Sequence, residues 1–281
     1  MKLGPLYRRM RERFRAGGLD SAGLDARFLI ADVLALTPGD VLLQEDRLVS
    51  EPDLDRLDQL AAARLSGVPI GRALGHREFY GLDFKLNGDT LEPRPDSELL
   101  VDTVLARTAP DAPFRFADIG TGTGALAISI LAHRKNATCV ATDVSENALA
   151  CAAANADNLG VASRLLCVRA DYTAGLASGF DWLVSNPPYI ATDVIGDLDR
   201  GVRDHEPRCA LDGGPDGLDA YRAILPQAQA LLASTGRIAV EIGFDQAASV
   251  TEMLQQCGFF DVEIIADLGN RPRLAVAGMA Q

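Results

Sequence analysis

Asn186-Pro187-Pro188-Tyr189 is the stretch of this chain whose residue types say most about chemistry. Two consecutive prolines remove two N–H donors and fix φ, so the loop is stiff and its free carbonyls are acceptors. Asn186 adds a side-chain carbonyl acceptor, and Tyr189 adds a flat face. Such a pocket suits a planar NH₂ group: two acceptors hold its two hydrogens while an aromatic ring stacks on its face. Phosphate fits poorly, because prolines have no N–H to offer and the chain has no G-K-[ST] element. A rigid turn is the plainer reading of Asn-Pro. It loses ground because a glycine-rich loop belongs to the same sheet rim.

That loop is Asp118-Ile119-Gly120-Thr121-Gly122-Thr123-Gly124, at the end of one apolar run and the start of another. Glycines there let the backbone turn tightly and let a ligand lie against it. Alone the signal is weak. G-x-G-x-x-[GA] is also matched, by Gly120, Gly122 and Ala125, and would serve a nicotinamide or flavin site equally well. Asp143 ends the next strand, about where an acid reaches two ribose hydroxyls. Asp171, with Tyr172 beside it, ends the third, where a carboxylate or neighbouring backbone can meet an adenine. Any one of these acids alone reads as a helix cap. Three at successive strand ends point to the rim where open α/β sheets bind ligands.

The elements that must hold these residues follow from the hydrophobic period. FRFADIG (114–120), TCVATD (138–143), RLLCVRAD (164–171), FDWLVSNPP (180–188) and GRIAVEIG (236–243) read as strands. Helices read over 125–134, 145–160, 216–232 and 245–259, with Ser145 as an N-cap, Gly160 as a terminator and Pro226 marking a kink or break. The alternation predicts an open, mostly parallel sheet with helices on both faces. DVEIIAD (261–267) and PRLAVAG (272–278) have no helix between them and are expected as an antiparallel pair at one edge. Residues 1 to about 70 read as helices only, with apolar stripes Leu6-Met10-Phe14, Leu24-Phe28-Ile30-Ala31-Val33-Leu34 and, after Pro52, Leu54-Leu57-Leu60-Ala61-Leu65. REFYGLDFKLNGD (77–89) alternates, with Gly81 at a turn, and reads as a β-hairpin. The organisation expected is a helical bundle over 1–75, a hairpin linker over 76–92 and an α/β domain over 93–281.

Composition narrows the function. The 281 residues carry 27 Lys+Arg and 39 Asp+Glu, a net charge of −12, which disfavours a protein living by bulk electrostatic grip on nucleic acid. The five cysteines are odd in number and no two stand in a C-x-x-C pair, so reduced thiols in a cytoplasmic protein are expected. His76, His133 and His205 show no ligand spacing, and no metal is expected. The basic N-terminus has no apolar signal core, and no apolar run approaches a membrane span.

In its glycine loop, Asp143 and N-P-P-Y, the chain resembles the class I S-adenosylmethionine methyltransferases that modify exocyclic or amide nitrogens. It resembles most closely the HemK/PrmC-type protein-glutamine N5-methyltransferases. G-V-P-I (67–70), H-R-E-F-Y-G-L-D-F (76–84), E-P-R-P-D-S-E (92–98), E-P-R-C-A-L-D-G-G-P-D-G-L (206–218), E-I-G (241–243) and D-L-G-N-R-P-R (267–273) follow that family in order. There are departures: Glu92 stands where a hydrophobic residue is usual, R-P-D-S-E replaces R-P-E-T-E, the tyrosine after the G-x-P element is absent, and D-L-A-G is shortened to D-L-G-N.

The resemblance implies a Rossmann-like methyltransferase sheet and an N-terminal helical domain that recognises a protein substrate. It implies S-adenosylmethionine as cofactor, S-adenosylhomocysteine as product, and the Gly-Gly-Gln glutamine of peptide chain release factors as substrate. Asn186, Pro187 and Tyr189 are then catalytic. Asp118, Gly120, Thr121, Gly122, Gly124, Asp143, Asp171, Tyr172 and Asn186 serve the cofactor. Asn186, Pro187, Pro188, Tyr189, Arg94 and Glu98 serve the substrate. Arg94-Pro-Asp-Ser-Glu98 also reads as a capped helix start. The rivals are an N-methyltransferase of nucleic-acid bases, a ribosomal-protein glutamine methyltransferase (against which R-P-D-S-E speaks), a non-catalytic cofactor-binding protein and a nicotinamide dehydrogenase.

Overall fold

Helix α1 (Leu3–Ala16) forms because Leu3, Leu6, Met10 and Phe14 recur every three or four residues, and all four are buried. It packs with α2 (Ala22–Val33), α3 (Asp40–Leu43), α4 (Glu51–Leu65) and α5 (Ile70–Leu74) around one apolar core. The Ser50 hydroxyl caps α4 by accepting from the Asp53 amide at 3.3 Å, with Pro52 in the first turn. The stripe expected on α2 needs correction. Leu24 and Phe28 are exposed, at 43% and 37%, while Ala22, Asp25, Ala26, Leu29 and Ile30 face inward. The buried Asp25 explains the shift: its Oδ2 takes Nε of Arg64 at 2.7 Å, an ion pair that hydropathy cannot place.

The structure is a computed structural model and describes residues 1–279. It divides into two compact units, Met1–His76 with Asp199–His205, and Arg77–Leu198 with Glu206–Gln281. The helical unit thus includes a segment from far along the chain. Its seat is the G-V-P turn: a Cβ on Gly201 would lie 3.4 Å from both the Gly67 carbonyl and Cγ of Pro69.

Apart from His76, the strands β1 (His76–Phe79) and β2 (Leu82–Lys85) lie in the second unit and form the expected hairpin, turning through Tyr80 and Gly81 at φ 54° and 73°. Phe79 and Phe84 are buried in this unit's core. There follow α6 (Glu98–Ala106), β3 (Phe114–Ile119), α7 (Ala125–His133), β4 (Ala137–Asp143), α8 (Glu146–Asn158), β5 (Leu165–Arg169) and β6 (Phe180–Ser185). After α9 (Arg200–His205), which belongs to the helical unit, come α10 (Asp219–Leu231), β7 (Leu232–Glu241), α11 (Ala247–Gln256), β8 (Phe259–Ala266) and β9 (Pro272–Met279). The sheet order is β5-β4-β3-β6-β7-β9-β8. Helices α6 and α7 cover one face, α10 and α11 the other, so the central strands are apolar on both sides.

Strand β9 runs antiparallel to β7 and to β8. The last two strands therefore form the expected antiparallel pair at one edge, with β8 outermost and β9 between it and β7. Leu274–Ala277 are accordingly buried, whereas Phe260 of β8 is 55% exposed. Helix α10 continues through Pro226, so of the expected kink or break the break does not occur. Pro226 lies on the solvent face, where the freed carbonyl one turn back remains accessible to water.

Candidate active site

The strand order reverses between β3 and β6, and the carboxyl ends of β3, β4, β5 and β6 meet around that switch point. At the end of β3, Gly120 and Gly122 stand at φ 73° and 55°, and a Cβ on either would meet nothing within 4 Å. Glycine is needed there for the sign of φ, and the space beside the loop stays open. Gly124 has a different reason. At φ 81° its Cβ would lie 2.8 Å from Cδ1 of Ile128 and 3.2 Å from Cβ of Ala152, so it lets α7 and α8 approach each other.

Asp118 is buried beneath the loop. Its Oδ2 accepts from Thr121 Oγ1 at 2.7 Å and from the Ala127 amide at 3.2 Å, which staples the loop to α7. Among the described residues its Oδ1 has no partner, and burial lifts the carboxyl to about 6. Asp143 is half-buried. One carboxylate oxygen accepts from the Gly122 amide and the other from the Ser145 amide, both at 2.9 Å. Each oxygen keeps lone-pair capacity toward the cavity. The Ser145 hydroxyl caps α8 through the Ala148 amide. Thr142 Oγ1 donates to the Tyr172 carbonyl at 2.8 Å, which fixes the turn carrying Asp171 and Tyr172, the latter at φ 49°.

The N-P-P-Y turn leaves β6 just after Ser185, whose hydroxyl donates to the Ile119 carbonyl at 2.6 Å and ties the two strand ends together. Asn186 Nδ2 donates to Ser97 Oγ at 2.9 Å, and Ser97 Oγ donates to Glu241 Oε2 at 2.5 Å. The Tyr189 hydroxyl donates to Glu241 Oε1 at 3.2 Å. Burial raises the Glu241 carboxyl to about 6, opposed by Ser97, Arg273 and Tyr189. Burial and the Glu241 charge push the Tyr189 phenol well up. Arg273 pairs with Asp96 and Asp267, each at 3.2 Å.

The turn is supported from beneath by Gln246, whose Nε2 donates to the Tyr189 and Gly217 carbonyls at 2.9 and 3.1 Å. The G-G-P-D-G-L stretch rests directly on it. A Cβ on Gly213 would lie 2.8 Å from the Pro188 carbonyl, and one on Gly217 would collide with that of Tyr189.

These parts enclose a cavity of about 250 Å³. Gly120, Thr121, Gly122, Asp143, Asp171 and Tyr172 line one end, and Arg94, Ser97, Asn186, Pro187 and Pro188 the other. Asp118, Gly124, Glu98 and Tyr189 stand behind the wall rather than in it. Glu98 accepts from the Tyr80 amide at 2.9 Å. Arg94 pairs with Glu206 at 3.0 Å, and Glu206 also accepts from the Glu92 amide, so the E-P-R-P and E-P-R-C motifs clasp each other. Among the described residues no donor meets the Pro187 carbonyl.

The sequence alone does not single out Ser97, Glu241, Gln246 and Arg273 as site residues. Three lie in quoted motifs, but only folding brings residues 144 positions apart into one hydrogen bond. The Asp143 acceptors, the open flank of the glycines and the acceptor pair Asn186–Pro187 fit a nucleoside cofactor beside an amide.

Comparison with known proteins agrees. Residues 6–75 match the PrmC N-terminal domain and residues 95–197 the Methyltransferase small domain. A release factor glutamine methyltransferase of Agrobacterium fabrum is 40% identical over 268 residues, covering 94% of this chain and 93% of its own. One from Bradyrhizobium diazoefficiens is 43% identical over 275 residues, covering 96% and 92%. A solved methyltransferase from Pyrococcus furiosus, 19% identical, shares the fold with a TM-score of 0.54 over 80% of this chain and 100% of its own. Near-full-length identity at this level, on top of a glycine loop and the Asn186-Pro187-Pro188 turn facing one cavity, makes the chain a member of the release factor glutamine methyltransferase family.

Proposed function

We propose that the protein transfers a methyl group from S-adenosylmethionine to the side-chain amide nitrogen of the glutamine in the Gly-Gly-Gln loop of peptide chain release factors. The observation that carries this reading is the commitment of the Asn186 NH₂ to Ser97, because it leaves the Asn186 oxygen and the unpartnered Pro187 carbonyl as two acceptors at the cavity wall. A carboxamide NH₂ offers two donors to that pair. When bound, S-adenosylmethionine supplies a methyl on a positively charged sulfur; the nitrogen lone pair takes it, the C–S pair stays on sulfur as S-adenosylhomocysteine, and an amide proton is released.

An amide nitrogen is a poor nucleophile because its lone pair is delocalised. Asn186 and Pro187 hold both N–H groups, orient the nitrogen and favour its more pyramidal state. Asp143 takes the ribose hydroxyls, the Asp171–Tyr172 turn meets the adenine, and Gly120–Gly122 let the cofactor lie against the backbone. The stiffness of the proline turn keeps the acceptors in place without reorganisation. Pro188, Arg94 and Glu98 shape the substrate side, Arg94 from the wall and Glu98 from behind it. The helical unit recognises the protein partner. The five free thiols suit a reducing cytoplasm, and among the described residues no helix is long and apolar enough to cross a membrane.

The test is incubation with labelled S-adenosylmethionine and a purified release factor, followed by mapping of the modified residue. Label on the Gly-Gly-Gln glutamine is expected; label on RNA or DNA, or tight binding of NADH in place of S-adenosylhomocysteine, would overturn the reading.

A further inference from the structure

We propose that Glu241 sets the hydrogen-bond polarity of the amide pocket: through the Ser97 hydroxyl it obliges Asn186 to show its oxygen, not its NH₂, to the cavity, so that the pocket selects a carboxamide over a carboxylate. The inference rests on the reading of Asn186 and Pro187 as a glutamine site.

An ionised carboxylate accepts only, and the Ser97–Glu241 separation of 2.5 Å is that of a hydroxyl bonded to a charged oxygen. Ser97 has one proton, and Glu241 takes it. The remaining lone pairs of Ser97 can only accept, so the 2.9 Å contact from Asn186 must be made by its NH₂. The amide is planar, and its oxygen is left for the cavity.

The backbone leaves the Ser97 hydroxyl to this chain of bonds. Ser97 is the last residue of a 3-10 turn (Pro95–Ser97) that runs into α6, and at φ −70° and ψ −14° it is already helical. Ser50 and Ser145, which cap α4 and α8, have extended ψ of 160° and 121°. The helical start at 94–98 therefore begins at Pro95 after Arg94 without a side-chain cap, which corrects the expectation of a capped one. Glu241 is also held against rotation: Tyr189 donates to its other oxygen, and the Tyr221 hydroxyl to its backbone carbonyl at 2.8 Å.

The groups facing Glu241 are Tyr189 from the proline turn, Tyr221 from α10, Asp96 from the turn before α6 and Arg273 from β9, itself shared with Asp267. Arg273 and the two hydroxyls favour the ionised form; Asp96 and burial oppose it. Below about 6 Glu241 gains a proton. It can then donate to Ser97, the Ser97 proton can turn to the Asn186 oxygen, and the pocket reverses.

The experiment uses the full chain, a release factor and its Gln→Glu variant in the Gly-Gly-Gln loop. Wild type is expected to bind the glutamine form at least about tenfold more tightly than the glutamate form in the presence of S-adenosylhomocysteine. In E241Q the side-chain NH₂ can donate to Ser97. Turnover is expected to fall about 100-fold, S-adenosylhomocysteine affinity to stay within about threefold, and the glutamine preference to vanish or invert. S97A should lose preference and activity in part, and S97T, which restores the hydroxyl, should recover most of both. The Asn186 side-chain NH₂ resonance should titrate near pH 6 in wild type and not in E241Q. An E241Q protein that keeps its turnover and its preference would overturn the proposal. If E241Q fails to fold, S97A with unchanged preference and turnover would do so instead. If wild type methylates no release factor, the functional reading fails, and the amide resonance still decides the polarity relay by its titration or its lack of one.

Discussion

Asn186 contributes one oxygen to the proposed chemistry, and everything around it serves to aim that oxygen. Its NH₂ is held by Ser97, its backbone follows a strand end pinned by Ser185, and two prolines stiffen what comes next. Asn186→Ala is therefore expected to lower turnover by about 10²–10³, the size typical of losing one positioned group at a reaction centre. Mass added to the release-factor glutamine per unit time measures it. Asp143 sits at the other end of the cavity with both oxygens already anchored by amides. Asp143→Ala should weaken S-adenosylhomocysteine binding by about 10-fold or more, as expected on losing a charged hydrogen-bond acceptor. Calorimetry without any release factor reads this directly.

At the scale of elements, the motifs far from the chemistry act as its mounting. The G-G-P-D-G-L stretch has glycines because carbonyls of the proline turn occupy the space a Cβ would need. Gly217 adds a φ of 74°, which side chains avoid. Gly217→Ala should destabilise the fold by about 1–3 kcal/mol and displace Tyr189, lowering both the melting temperature and turnover. Gly120→Ala makes the contrasting case: its φ is also positive, but no atom lies within 4 Å of the new Cβ. Its cost should be smaller in stability, about 1 kcal/mol, and should show mainly in cofactor affinity. Thermal unfolding and calorimetry on the two variants separate a packing glycine from a ligand-facing one.

For the whole molecule, two buried carboxyls near the site oppose stability at neutral pH. Asp118 and Glu241 both rise to about 6, from ordinary values of 3.8 and 4.5, because burial disfavours the charged form. The folded state then binds these protons more tightly than the unfolded state. The stability they contribute is complete below about 4 and is lost as pH rises through about 6. The loss is on the order of 2 kcal/mol for Glu241 by the usual conversion of a pKa shift. Glu241→Gln should accordingly be more stable than wild type at pH 7–8, with the gap closing toward pH 4.5, even though its activity falls. Denaturant unfolding across that range measures the gap; a variant less stable at every pH would mean that Glu241 serves the fold rather than the pocket.

Much of this protein is legible in its residue order. Period and punctuation place all the strands and most of the longer helices, but not the short α3, α5 and α9, because a face buried by packing must repeat every two or every 3.6 residues over enough chain to be read. The glycine loop and the two prolines announce an acceptor-rich cavity through backbone chemistry that is local by nature. Where the expectations slipped, at Leu24 and Phe28, the deciding fact was a partner elsewhere: Arg64 for Asp25. The role of Ser97 is the clearest case. Read along the chain it belongs to a helix start; only the tertiary structure sets Glu241 beside it, and the bond between them joins residues 144 positions apart. Local order thus determined the elements and the backbone of the site. Burial and long-range hydrogen bonding, which exist only once the chain is folded, decided which way its polar groups point.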